Sequence, residues 1–352
     1  MMNANTETYA LSDGARIATG LVRTVLGDTA PARLGRVNYH EHLFQTTPLL
    51  PGEELNDEVR SRDEAASMRD AGIDAMIDAT PWGLGRDPSA VARISHATGM
   101  QVVATAGFHR EAHYPDSKEA LSLTVTEIAA RCIRELTVGQ PLTDASPNAT
   151  CAGAEPADDS YAGNIALGPE GVPVRAGILK VGIGYWAITA FENRVIEGVA
   201  AAHRTTGAPV MVHLEHGTCA HEALDRLGDC GVAADSVVLA HIDRSPDPIL
   251  YGEIAERGAY LGCDGAARLK DHPEATLIAA IAGACEAGHA ARIVLGGDVA
   301  RRSRYLAYGG MPGIAYLTNR FTPRLTSHVG KDTVHTFLTS NAQRLLTWQP
   351  PG

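Results

Sequence analysis

Several things are scarce in this sequence, and each scarcity excludes a class of protein. Only six of the 352 residues are cysteine (Cys132, Cys151, Cys219, Cys230, Cys263 and Cys285). They show no C-x-x-C spacing, so they read as free thiols in a reducing compartment rather than a disulfide framework or a thiolate metal site. Basic residues are outnumbered, 30 against 41 acidic, for a net charge of −11. That balance argues against a nucleic-acid partner and against an anionic membrane surface. No apolar run reaches membrane-spanning length. The longest candidate, "ATLIAAIAGACEAGHAARIVL", is broken by Glu286 and His289 and reads as a helix followed by a strand. The N-terminal stretch "MMNANTETYALSDGA" has no basic region leading into an apolar core. It is therefore not a secretory signal, and the expected location is the cytoplasm.

What is present is an alternation of strand-like and helix-like segments. Apolar runs fall at 36–40 (RVNYH), 73–80 (IDAMIDAT), 101–107 (QVVATAG), 175–182 (RAGILKVG), 208–214 (APVMVHL), 236–241 (SVVLAH), 258–264 (GAYLGCD) and 291–298 (ARIVLGGD). Several are nearly continuous in Val, Ile, Leu and Ala, as strands buried on both faces should be. Amphipathic stretches such as "NDEVRSRDEAASMRDAG" and "FENRVIEGVAAAHRTTG" lie between them and stop at Gly72 and Gly207, as helices with glycine C-caps do. Eight such alternations predict an α/β fold, a (β/α)8 TIM barrel over residues 36–352. An open doubly wound sheet competes, but no G-x-G-x-x-G follows the first strand, which removes its usual dinucleotide-binding form. Residues 1–35 form an N-terminal extension in which "ATGLVRTVLGD" is expected to make a small β hairpin under the barrel. Residues 139–170, rich in Pro, Gly, Ala, Ser and Asp and without a period, read as a loop insertion.

In such a barrel the chemistry sits at the C-terminal ends of the strands. The first strand ends in His40-Glu41-His42. Positions two apart share a strand face, so the two imidazoles point one way and Glu41 the other. The fourth strand carries Lys180, the fifth His213, the sixth His241, and the eighth ends in Asp298. Four imidazoles, a carboxylate and an amine at one end of five strands form a metal site by their ligand types. Lys180 lies in the apolar context "AGILKVGIG", where burial depresses an amine's pKa. A neutral amine can add carbon dioxide to give a carbamate, an anion able to bridge two cations.

These residues, with the stretches "TVLGDTAPARLGRVNYHEHL", "GIDAMIDATPWGLGRD", "VHLEHGT", "AHIDRS" and "YGGMPGIAYLTNRFTPRL", resemble the phosphotriesterase family of the amidohydrolase superfamily, from about Val22 to Trp348. The "HIDRS" and "YGGMPG" stretches look closer to its phosphotriesterase-related, homology-protein or lactonase-like branches. The resemblance implies a binuclear site. His40 and His42 bind one divalent ion with Asp298, His213 and His241 bind the other, and carbamylated Lys180 and a hydroxide bridge them. Zinc is the first expectation, with Mn, Co or Fe as alternatives. The implied reaction is attack of the bridging hydroxide on a carbonyl or phosphoryl centre, with Asp298 as the catalytic proton acceptor. A homodimer is also implied.

The substrate is a small molecule. A lactone or other carboxylic ester comes first, with an N-acyl amide or a phosphotriester as alternatives inside the enzyme class. A non-catalytic binding barrel is the alternative outside it, opposed by the presence of both Lys180 and Asp298. Arg244 is placed either on an anionic group of the substrate or in a salt bridge to Asp243 or Asp247. Arg302, with Arg301 and Arg304, is a candidate basic rim. Trp82, Phe108, His109 and Tyr185 are candidates for lining the substrate pocket. Gly297, in "LGGD", stands where relatives commonly carry a bulkier residue, and the sequence offers no reason for it.

Overall fold

The computed structural model describes residues 17–144 and 164–351. Eight parallel strands follow one another around a single sheet: β3 (Val37–Glu41), β4 (Ala75–Asp78), β5 (Gln101–Gly107), β6 (Ala176–Ile183), β7 (Val210–Leu214), β8 (Val237–Ala240), β9 (Tyr260–Cys263) and β10 (Ile293–Leu295). Each pairs in parallel with its sequence neighbour. The first and last strands meet just beyond β10, where the backbone N–H groups of Gly297 and Asp298 both donate to the carbonyl of His40 at 3.2 and 2.9 Å. This is the (β/α)8 architecture expected from the eight apolar runs. The strands are shorter than those runs by a residue or two at several ends, because the terminal residues turn into loops.

The strands are apolar on both sides because both sides are buried. Val37, Tyr39, Ile77, Val103, Ile178, Met211, Val238 and Val294 fill the interior of the barrel. The alternate positions, such as Met76, Val102, Leu179, Val212 and Leu239, pack against the outer helices. Those helices start and stop where their caps dictate. Helix Glu58–Asp70 begins at Asp57, whose side chain accepts from the N–H of Arg60. Helix Ala190–Thr206 begins with a reciprocal capping box between Thr189 and Glu192 and ends at Gly207 in the left-handed conformation.

β1 (Val22–Thr24) and β2 (Gly27–Thr29) form the antiparallel hairpin foreseen in the N-terminal segment. It lies at the N-terminal end of the barrel: the N–H of Val25 donates to the carbonyl of Val102, at the start of β5, at 2.9 Å. Of the foreseen insertion, residues 145–163 lie outside the described residues. Its flanks are pinned by the isolated bridges Pro141–Ile165 and Leu167–Pro173.

The opposite end of the barrel carries the strained backbone. Among the described residues, six that are not glycine have positive φ: Trp186, His216, Cys219, His241, Asp298 and Ala300. All six lie just after the C-terminal ends of β6, β7, β8 or β10. Residues held in such conformations gather where the surrounding structure fixes a functional side chain. Gly107 serves the same end. Its φ is +115°, and a Cβ there would stand 2.2 Å from the carbonyl oxygen of Lys180. Gly107→Ala is therefore expected to cost more than about 2 kcal/mol, read as a shift in the urea unfolding midpoint.

Candidate metal centre

The residues singled out at the strand ends come together in the mouth of the barrel. Pairing between β3 and β4 shifts register between Asn38 and Glu41. His40 thereby turns to the same side as Tyr39, the two rings meeting edge to face at 5.6 Å. Nε2 of His40 and Nε2 of His42 stand 3.8 and 3.7 Å from Oδ1 of Asp298. Three donors that share one ion at bond lengths of about 2.0–2.2 Å stand roughly 3–4 Å apart, so the set fits a divalent cation. The ring of His241 lies 4.9 Å from His40 and 4.6 Å from His213 between centroids.

Hydrogen bonds fix which nitrogen of each ring is free. The hydroxyl of Thr80 donates to the carbonyl of Phe44, so at 2.7 Å from His42 it accepts from Nδ1–H and leaves the lone pair on Nε2. The carboxylate of Asp264 lies 3.1 Å from Nδ1 of His40 and 2.7 Å from Nδ1 of His241, where Nη2 of Arg244 also comes to 3.1 Å; with Nδ1 engaged, Nε2 is left free in both rings. His213 donates from Nε2 to Glu215 at 3.0 Å, which leaves Nδ1 free. Each ring thus keeps one nitrogen outside these bonds and available to a metal ion. Burial pushes the pKa values of His42, His213 and His241 well below the ordinary value for histidine. Asp264 can also be grouped with His40 and His241 as a cation site. Its two oxygens are taken by these imidazole N–H groups and by the hydroxyl of Tyr39, so it aims the rings instead.

Lys180 is fully buried, and its amine donates to the carbonyl of Ala79 at 2.6 Å. Burial pulls its pKa down to about 8, against the opposing pull of Asp298, Asp264 and Asp78. Asp298 shows the reverse balance. Burial disfavours its charge, but the guanidinium groups of Arg268 and Arg244 hold it well below the usual carboxylate range.

Above this centre a cavity of about 560 Å³ opens to solvent. Five of its lining residues are cations, Arg244, Arg268, Lys270, Arg301 and Arg304, against two acids, Glu215 and Asp271. The Nε atoms of Arg244 and Arg268 and Nη1 of Arg304 are buried and have no hydrogen-bond partner among the described residues. Burial, with Arg268 and Arg301 nearby, pushes the pKa of Arg304 down to about 10.

The expected substrate contacts fare unevenly. Arg244 pairs with neither Asp243 nor Asp247. Its Nη2 donates to Asp298 at 2.6 Å while its body lines the cavity. Phe108 is wholly buried against Trp82, Tyr114 and Phe191, so it packs rather than lines the pocket. Trp82 does not reach that cavity; with the guanidinium of Arg131 over its ring at 4.5 Å, it lines a separate one of about 360 Å³ together with Pro48, His113 and Tyr114. Arg302 turns away and sits on the ring of Tyr308, leaving Arg301 and Arg304 to face the cavity. His109 does reach the centre, 4.2 Å from His213 between rings. Tyr185 is 61% exposed at the rim, edge-on to His216.

Sequence reasoning passed over Asp264, although it ends the seventh apolar run in the same position as Asp298 ends the eighth. It also passed over Arg268 and Glu215, which lie in loops without a period. Gly297 finds its reason here: a Cβ would stand 2.0 Å from Oε1 of Glu41.

The sequence profile of the phosphotriesterase family matches residues 20–146 and 142–346. The chain belongs to the phosphotriesterase family. Its relatives include a phospho-furanose lactonase of Mycoplasmopsis synoviae, 29% identical over 93% of this chain and 91% of that one. They also include the N-acetyltaurine hydrolase of Homo sapiens, 25% identical over 94% of this chain and 99% of that one. Among solved structures, a lactonase from Listeria monocytogenes superposes with a TM-score of 0.79 at 29% identity, covering 94% of this chain and all of that one. This phosphotriesterase-family chain is accordingly a hydrolase, and its His/Asp cluster suits the divalent metal that the family implies.

Asp264→Asn is expected to lower metal affinity by about 10- to 100-fold. The amide can accept from only one of the two imidazoles and presents a donor to the other. Zinc retained against a graded chelator series measures the loss.

Proposed function

We propose that this phosphotriesterase-family member hydrolyses a carboxylic ester, specifically a lactone that carries a phosphate or a comparable anion. The observation that carries the substrate half is the set of five cations, Arg244, Arg268, Lys270, Arg301 and Arg304, that line one cavity beside the His/Asp centre against only two acids. An anionic group seated among them meets a local excess of positive charge, in a chain whose net charge is −11. The relative named a phospho-furanose lactonase supports the same reading.

Two divalent ions, zinc in the first instance, would supply a Lewis acid for the carbonyl oxygen and an activated water at neutral pH. His40 and His42 with Asp298 would hold one ion, His213 and His241 the other. Lys180 would serve both as a carbamate: its neutral nitrogen adds to the carbon of carbon dioxide, the N–C bond forms as one C=O π bond opens onto oxygen, and the nitrogen's proton passes to water. Asp298, kept ionised by Arg268 and Arg244, accepts the proton released as the carbonyl is attacked. The guanidinium groups hold the anionic end of the substrate, so the ring ester lies against the centre.

A second reading, cleavage of an N-acyl amide bearing a sulfonate, draws on the relative named N-acetyltaurine hydrolase and on the same cations. A neutral aryl phosphotriester brings no anion to these five charges and is expected to be a poor substrate.

The test is kcat/KM for a phosphorylated furanose lactone, its dephosphorylated counterpart, N-acetyltaurine and an aryl phosphotriester. The phosphorylated lactone should lead by at least about tenfold, or about 1.4 kcal/mol. Preference for the dephosphorylated lactone would contradict the anion-pocket reading, and preference for N-acetyltaurine would select the amide reading. Arg301→Ala should raise KM for the phosphorylated lactone by about tenfold or more and leave the neutral lactone almost unchanged.

The amine of Lys180 is neutral above a pKa of about 8 and charged below it. Reconstitution of metal-stripped protein with zinc and bicarbonate should therefore be several-fold faster at about pH 8.5 than at about pH 6.5. A rate independent of pH and of bicarbonate would remove the carbamate from the account.

A further inference from the structure

Glu41 lies between two histidines of the metal centre but points away from them, and neither the metal nor the anion cavity uses it. It is wholly buried. Oε2 accepts from the backbone N–H of Val299 at 3.2 Å, and the hydroxyl of Tyr305, which donates to the carbonyl of His42 at 2.5 Å, lies 3.2 Å from it. Oε1 has no hydrogen-bond partner among the described residues and occupies the space where a Cβ of residue 297 would be, 2.0 Å from that point. The segment Glu41 touches is the one that presents Asp298. Asp298 holds a φ of 39°, and Ala300 beside it a φ of 52°. Both lie in the left-handed region, which residues other than glycine seldom adopt and which needs external restraint. Two restraints come from the backbone of β3, where the N–H groups of Gly297 and Asp298 donate to the carbonyl of His40. Glu41 supplies the third, on the other side of Asp298.

From this we infer that Glu41 is a positioning residue for Asp298, and that Gly297 is its counterpart, the missing side chain that lets the carboxyl reach the loop. The pair keys the end of the first barrel strand into the loop after the last, and so sets the distance between the histidines of β3 and the carboxylate that shares their ion. The inference rests on the metal reading above. φ at Gly297 is not in the left-handed region, so alanine is tolerated by the backbone there. What an added methyl group meets is the far end of the Glu41 side chain, which can swing aside. Gly297→Ala is thus expected to displace Glu41 and leave the barrel folded.

The experiment is a double-mutant cycle read as zinc affinity by chelator competition, with the thermal unfolding midpoint followed in parallel. Glu41→Ala and Gly297→Ala should each weaken zinc binding by about tenfold. The double variant should bind no more weakly than Glu41→Ala alone, because the methyl group then has nothing left to displace. Glu41→Gln, which keeps the shape and one acceptor oxygen, should retain most of the wild-type affinity. Glu41→Ala with wild-type affinity would overturn the inference, as would losses that multiply in the double variant. A wild-type chain that binds no zinc would overturn the metal reading and this inference with it. Zinc bound by wild type and by Glu41→Ala alike would overturn this inference alone.

Discussion

The arrangement depends most on one buried carboxylate. Asp264, at the end of β9, receives Nδ1–H of His40 from β3 and Nδ1–H of His241 from β8, together with the hydroxyl of Tyr39 and the backbone N–H of His241. A carboxylate buried without partners is strongly unfavourable, and these donors offset its desolvation. In return it turns the free nitrogen of both rings inward and ties together three strands that are not sequence neighbours in every pair. Gly262 makes the contact possible, since a Cβ there would lie 2.4 Å from the hydroxyl oxygen of Tyr39. Thr80 does the same for His42, and Glu215 for His213.

Charge is layered above that foundation. Four imidazoles, Asp298 and Lys180 form the lower tier, closed from solvent. Arginines and a lysine form the upper tier, around the cavity. Arg244 and Arg268 belong to both tiers, since each donates to Oδ2 of Asp298 while Oδ1 faces the histidines. The lower tier suits cations and the upper tier suits anions. A substrate with an electrophilic carbonyl at one end and a negative group at the other spans the two.

Most of the fold was legible because its strands are buried on both faces. Runs such as "QVVATAG" and "APVMVHL" have few competing readings once eight of them alternate with capped helices. The ligand-type residues were legible because the barrel confines them to the last positions of strands, which are readable as the ends of apolar runs. Asp264 obeyed the same rule and was still passed over, because without coordinates it is one acidic residue after a cysteine with no visible partner. Arg268 could not be read, since its place depends on the path of a loop. Phe108 misled for the opposite reason: it follows a strand end, as pocket residues do, but Tyr114 and the sequence-distant Phe191 gather it into the core. Gly297 became intelligible only from the position of Glu41, 256 residues earlier in the chain.

The central claim is that these buried side chains form a two-ion hydrolytic centre. The most direct measurement is the metal-to-protein ratio, by mass spectrometry of the elements, for protein produced with added zinc and bicarbonate and purified without chelators. The account predicts about two ions per chain. A ratio near zero under those conditions would contradict it, and the imidazoles would then be no more than the polar lining of a binding barrel.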